Sequence, residues 1–93
     1  MLFRSDFHAR QFLSTTRVLR RSITARELVA ALTRDGFALQ RVRGSHRMYR
    51  HANGRRVVVA YHGLGETFPL GTLRAMIAGA GWSNSDLERL GLG

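Results

Sequence analysis

The dipeptide Asn53-Gly54 stands just before the β-branched run Arg56-Val57-Val58-Val59-Ala60-Tyr61. Asn and Gly both tolerate the positive φ of a type I′ turn, so this junction predicts two antiparallel strands joined by a tight hairpin. Residues 46–51 form the incoming strand. Residues 37–42 alternate imperfectly and form a further strand, interrupted by Gly44. A three-stranded antiparallel sheet therefore occupies the middle of the chain.

Helices flank it. Thr24-Ala25-Arg26-Glu27 is a capping box, with a hydroxyl for the Glu27 amide and a carboxylate reaching back. Ile23 and Leu28 are spaced for a hydrophobic staple, and Ala25, Leu28, Val29 and Leu32 share one helical face. Gly36 supplies the left-handed residue that ends this helix, which is predicted over about residues 24–35. Residues 63–71, with Gly63, Gly65, Pro69 and Gly71, are a loop. Thr72 is placed to cap a second helix whose apolar stripe is Leu73, Met76, Ile77 and Ala80, closed by Gly81. Ser83-Asn84-Ser85-Asp86 starts a short third helix carrying Leu87 and Leu90. Trp82 is expected to pack behind the second helix. The order is α-β-β-β-α with a further C-terminal helix, an α+β domain.

The first 22 residues lack such a pattern. Leu2, Phe3, Phe7, Phe12, Leu13, Val18 and Leu19 follow no clean period, and the stretch holds five arginines and one acid. An Arg-rich, acid-poor, Ser/Thr-containing start also has the composition of an organelle transit peptide. It is read as an accessory basic extension, partly helical or disordered, with the domain proper at residues 23–93. At 93 residues and 44% hydrophobic, the chain suits one domain with a modest core.

Charge says most about partners. All fifteen basic residues are Arg, against six acids, for a net charge of +9. A polyanion fits this imbalance, and the planar guanidinium suits phosphate; a solubilising surface or an Arg-rich codon bias would give the same composition. Cysteine is absent. Disulfides, thiolate catalysis and cysteine-based metal sites are thereby excluded, and a reducing cytoplasm is permitted. No apolar run approaches the roughly 18 residues of a membrane span.

Few groups could do chemistry. The acids, at positions 6, 27, 35, 66, 86 and 88, form no carboxylate pair at useful spacing, which argues against two-metal hydrolysis. The histidines at 8, 46, 51 and 62 lack a compact metal-ligand spacing. No metal or other cofactor is expected. RNA, however, carries its own nucleophile. One base that takes the 2′-hydroxyl proton lets that oxygen attack the adjacent phosphate and leave a 2′,3′-cyclic phosphate. Histidine suits such a step, and arginines suit the charge that develops on phosphate.

These needs meet in Arg41-Val42-Arg43-Gly44-Ser45-His46-Arg47. Gly44 allows close approach of a phosphate, Ser45 can donate a hydrogen bond, and Arg41, Arg43 and Arg47 surround His46 with charge. Arg55 and Arg56 on the hairpin could clamp phosphate, or simply be solvated. Tyr49 and Tyr61 could stack on bases, although half-buried packing is the commoner use. His62 ends the third strand, either near His46 or as a loop-fixing residue. His51, beside the hairpin, is structural or solvent-facing. A plain surface role also remains open for His46 on composition alone.

The ordered set Gly36-Phe37, Arg41-x-Arg43-Gly44-Ser45-His46, Tyr49-x-His51-x-x-Gly54-Arg55, Val57-Val58-Val59, His62 and Pro69-x-Gly71-Thr72-Leu73-x-x-Ile77-x-x-Ala80-Gly81 resembles the HicA family of mRNA interferases over roughly residues 24–82. The resemblance implies a fold like the double-stranded-RNA-binding domain, with two helices on one face of a three-stranded sheet. It implies a cytoplasmic, metal-independent endoribonuclease toxin with His46 as the catalytic residue, acting on mRNA and covered by a HicB-type antitoxin. The chain departs from the family pattern in residues 1–22, in Arg47 where a second His is common, and in Leu70 where Lys is common. The rival expectation is an RNA-binding module of the same fold that does not cut; a DNA-binding repressor fits less well, because no helix-turn-helix pattern is present.

Overall fold

The computed structural model describes Leu19, Arg20 and residues 22–93. Most of the basic extension, residues 1–18 and Arg21, lies outside the described residues. The elements are α1 (Ala25–Arg34), β1 (Ala38–Arg43), β2 (His46–Arg50), β3 (Arg56–Ala60), α2 (Leu70–Ala80) and α3 (Asn84–Arg89). The predicted order and the three-stranded antiparallel sheet, arranged β1-β2-β3, are both present.

Helix α1 begins as its sequence dictates. The Thr24 hydroxyl accepts from the Glu27 amide, and the Glu27 carboxylate accepts from the Thr24 amide. The two helical N–H groups ahead of Glu27 are satisfied from the loop after β3. Ala25 donates to the Glu66 carbonyl at 2.8 Å and Arg26 to the Leu64 carbonyl at 2.9 Å. That pairing fixes residues 64–67 against the start of α1, with a bridge between Thr24 and Thr67. Ala25, Leu28, Ala31 and Leu32 form the buried face, and Ile23 is buried with them. Fully burying a leucine such as Leu28 or Leu32 stabilises the fold by about 1.5–3 kcal/mol.

The core lies on one side of the sheet. Tyr49, Val57, Val59 and Tyr61 face α1 and α2, and Leu73, Met76, Ile77 and Ala80 of α2 close over them. Trp82, Leu87, Leu90 and Leu92 seal the end of this layer. Leu19 belongs to the same cluster, and the Arg20 amide donates to the Leu92 carbonyl at 3.0 Å. Arg20 also pairs with Glu27. Two residues ahead of the boundary read at 22/23 thus already pack on the body.

Three local expectations are corrected. Asn53 is not left-handed: among the described residues only glycines have positive φ. The hairpin instead uses a three-residue loop, Ala52-Asn53-Gly54, in which Gly54 has φ 97° and donates to the His51 carbonyl while His51 donates to the Arg55 carbonyl. One left-handed residue is enough for such a loop, a turn followed by a glycine bulge. The Asn53 side chain accepts from the Arg55 amide at 3.1 Å, which holds the loop in place of the expected backbone geometry. Thr72 does not cap α2. The helix already starts at Leu70, follows Pro69, and receives no side-chain cap. Gly71 is helical because the burial of Leu73, Met76 and Ile77 outweighs its poor propensity, about 1 kcal/mol relative to Ala. The third strand ends at Ala60, although Tyr61 still donates to the Ser45 carbonyl at 3.1 Å. The start expected for α3 at Ser83 is present, and it takes the form of a capping box, with the Ser83 hydroxyl and Asp86 carboxylate satisfying each other's amides.

Candidate active site and nucleic-acid interface

Residues 46–50 alternate between the two faces of the sheet, because successive strand residues point to opposite sides. Tyr49 faces the core, so Arg47 does too, while His46, Met48 and Arg50 face away from the helices. Register carries this parity to the neighbours. His46 pairs with Arg43 on one side and Ala60 on the other; Met48 pairs with Arg41 and Val58; Arg50 pairs with Ala38 and Arg56. The open face therefore carries Arg41, Arg43, His46, Arg50 and Arg56. Among the described residues, no acid occurs in any strand.

Arg41 reaches this face through an irregularity. The register shifts between Leu39 and Arg41, so Leu39 sits opposite Tyr49 on the core face while Arg41 and Arg43 lie on the open face. Simple alternation would have placed all three together. A β-bulge has this effect, re-aiming the residues beyond it. Every residue of β1 is exposed.

The turn between β1 and β2 is two residues long, Gly44-Ser45. Gly44 takes φ 59° at its first position, the conformation that favours glycine in a type II′ hairpin. A Cβ built there would meet nothing within 4 Å, so the backbone at this point is open to solvent. The turn is held from behind by Arg47. Its guanidinium lies 4.0 Å from the centre of the Tyr61 ring and donates to the Ser45 carbonyl at 3.2 Å and to the Tyr61 carbonyl at 2.9 Å. His46 is exposed on the first residue of the central strand, immediately after this braced turn.

The remaining sequence-derived candidates are elsewhere. Tyr49 is buried in the core, where burial pushes its hydroxyl pKa up, with Tyr61 adding to the effect. Tyr61 is buried as well, so neither ring is presented for stacking. Arg55 lies 5.0 Å over the Phe37 ring and donates to the Ala80 carbonyl, with Asp35 at 3.4 Å. His62 is 86% exposed in the loop after β3, with its ring 3.9 Å from Glu66, whose carboxylate also accepts from the His62 and Gly63 amides. His51 is structural: its Nδ1 accepts from the Asn53 amide, which leaves Nε2 to donate to the Asp35 carbonyl at 3.0 Å. The site thus gathers Arg41, Arg43 and His46 around Gly44 and Ser45, adds Arg56 at the far end, and leaves out Arg47, Tyr49, Arg55 and His62.

Two residues were missed. Arg50 shares the His46 face, and the period of two through 46, 48 and 50 was a sufficient signal. Asp35 is the second. Its carboxylate accepts from Trp82 Nε1 at 2.8 Å and Arg89 at 2.6 Å, and it lies only 3.4 Å from Arg55. Burial acts to raise its pKa, but those hydrogen bonds and the charges of Arg89 and Arg55 outweigh it and hold the carboxyl below the usual range. No local pattern announces a hub assembled from residues this far apart in the chain.

Among the described residues, no three His, Cys, Asp or Glu side chains converge as a metal-binding group, and no helix is long and apolar enough to cross a membrane. The chain matches the family model of the HicA toxin of bacterial toxin–antitoxin systems over residues 25–82, from the first residue of α1 through the whole sheet to Trp82. No curated protein matches the chain significantly.

Proposed function

The chain belongs to the HicA toxin family of bacterial toxin–antitoxin systems, and from that premise we propose that it is an endoribonuclease acting on mRNA through His46. The observation that carries this reading is the setting of His46: an exposed imidazole on the central strand, paired with Arg43, beside a braced and open glycine turn, on a face to which the three strands contribute no acid. His46 takes the proton of a 2′-hydroxyl, and that oxygen attacks the adjacent phosphorus. The bond to the 5′-oxygen breaks as the cyclic phosphate forms, and the departing oxygen takes a proton from the imidazolium or from water. Arg43 and Arg41 face the phosphate oxygens on which charge builds, and Gly44 and Ser45 let the backbone approach. Arg47 serves by fixing the turn from the core side.

In this reading the reaction needs no metal, because the substrate supplies the nucleophile and the protein supplies the proton acceptor. The protein works in the cytoplasm, where mRNA is reached. A HicB-type antitoxin holds it inactive by covering the His46 face, where the exposed arginines favour an acidic partner. Residues 23–93 form the cutting domain, and residues 1–22 add basic contacts to RNA.

Incubation of purified protein with RNA in EDTA tests the proposal. Fragments ending in 2′,3′-cyclic phosphate are expected. Intact RNA that is nevertheless retarded in a gel would replace the nuclease with a binding module of the same fold, and cleavage that requires added Mg²⁺ would overturn the mechanism.

A further inference from the structure

The open face of the sheet is more basic than catalysis at His46 requires. Arg50 and Arg56 are direct cross-strand partners. Like charges placed opposite one another destabilise a sheet. Among the described residues neither meets a carboxylate or makes a side-chain hydrogen bond, although both are exposed and free to do so. A repulsive pair of this kind, left unneutralised in a fold that pairs Arg55 and Arg89 with Asp35, is suited to an anion from outside.

The face is ordered in rows. One row holds Arg43, His46 and Ala60; the next holds Arg41, Met48 and Val58; the last holds Ala38, Arg50 and Arg56. Val58 is 50% exposed, so beyond Arg41 the middle row presents the apolar side chains of Met48 and Val58 between two charged rows. Arg50 is four steps along the strand from His46, about 13 Å. A shallow depression between Ala38-Leu39-Gln40 and Arg50 adjoins the far end. Charged rows on either side of the apolar patch at Met48 and Val58, on a ribbon three strands wide with Arg41 at its edge, match an extended polynucleotide with its bases turned toward the protein. Duplex RNA keeps its bases stacked inside and could not use the middle row.

We propose that single-stranded RNA lies extended across this face, one phosphate at Arg43 beside His46, a base over Met48 and Val58, and the phosphate two nucleotides along clamped by Arg50 and Arg56. The proposal rests on the ribonuclease reading and adds the form of its substrate and the contacts that select it. The far clamp fixes which phosphate reaches His46, so it sets register as well as affinity.

The test uses a fluorescein-labelled 2′-O-methyl single strand, which cannot be cleaved, and a duplex of the same sequence, both read by anisotropy at several salt concentrations. Arg50→Ala and Arg56→Ala should each weaken single-strand binding about tenfold, roughly the worth of one charge-assisted contact. Each should also lower the salt slope by about 0.7, the single-strand value for one phosphate. Arg26→Ala, which removes an exposed arginine from α1, should change neither quantity. Thermal stability of Arg50→Ala should match or exceed that of the wild type, because a repulsive pair is removed. Unchanged affinity and slope in both sheet variants, or tighter binding of the duplex than of the single strand, would overturn the track. Loss of binding in these variants without any RNA cleavage by the wild type would uphold the track and sink the nuclease; cleavage that depends on His46 with no effect at Arg50 or Arg56 would do the reverse.

Discussion

Asp35→Ala should cost more stability than any other change of a surface-reaching carboxylate in this chain. The Asp35 side chain is only 9% exposed, and its two oxygens accept from Trp82 and Arg89, with Arg55 close by. The Trp82 indole is buried, so truncation leaves its N–H without a partner, at about 1–3 kcal/mol. Arg89 is half exposed and pairs also with Asp86, so its loss adds at most a few tenths of a kcal/mol. Arg55, at 3.4 Å, keeps the Ala80 carbonyl and contributes little. The sum is about 1–3 kcal/mol, a large share of the 5–15 kcal/mol typical of a domain. In a domain of this size that lowers Tm by about 5–25 °C. Trp82 is the chain's single tryptophan, so its fluorescence follows unfolding in urea and reports on the perturbed contact itself. Asp35→Asn keeps an acceptor for the indole and should cost about 1 kcal/mol or less. An Asp35→Ala protein within 0.5 kcal/mol of the wild type, or one no less stable than Asp35→Asn, would refute the hub.

The same carboxylates make stability depend on acid. Asp35 and Asp86 are held below the ordinary aspartate value of about 3.9, so their contribution is complete above that value and is lost as pH falls through the lowered one. Urea melts from pH 6 down to pH 2.5 should show stability dropping below about pH 4, with a shallower drop in Asp35→Asn. Gly44→Ala meets no steric neighbour but must hold φ 59°, which costs about 1–2 kcal/mol for an L-residue; the melt should show that loss, and a neutral result would mean that the turn adopts another form. Chains beginning at Leu19 and at Ser22 should both fold, but the shorter one should be less stable by about 1–2 kcal/mol, since it loses the buried Leu19 side chain and the Arg20 bond to Leu92. Equal stability of the two would place the start of the folding unit at Ile23.

Capping and helical periodicity were legible because they are local. Thr24 with Glu27, Ser83 with Asp86, and the stripe from Leu73 to Ala80 each sit within a few residues and need no knowledge of the rest of the chain. Sheet faces were less so, because a single bulge near Gln40 reverses the parity of β1 and separates Leu39 from Arg41. Arg47 is instructive in the other direction. Charge drew it into a cluster with His46, yet adjacent strand residues cannot share a face, and the period of two already pointed it toward Tyr61. Arg55 and Asp35 depended on contacts between the first helix, the hairpin and the C-terminal helix, which only folding brings together. Arg43, Gly44, Ser45 and His46 stay together in the fold because they are four residues of contiguous chain around one turn.

His46→Ala tests the central claim most directly. The imidazole is exposed and among the described residues makes no hydrogen bond, so its removal should leave the urea melt of Trp82 fluorescence unchanged. Binding of the uncleavable 2′-O-methyl strand should persist within a fewfold, because the arginines of the open face remain. RNA cleavage in EDTA should fall by at least the hundredfold that a positioned acid–base group typically supplies, about 10²–10⁴. A folded His46→Ala protein that binds RNA and cuts it at the wild-type rate would contradict the account.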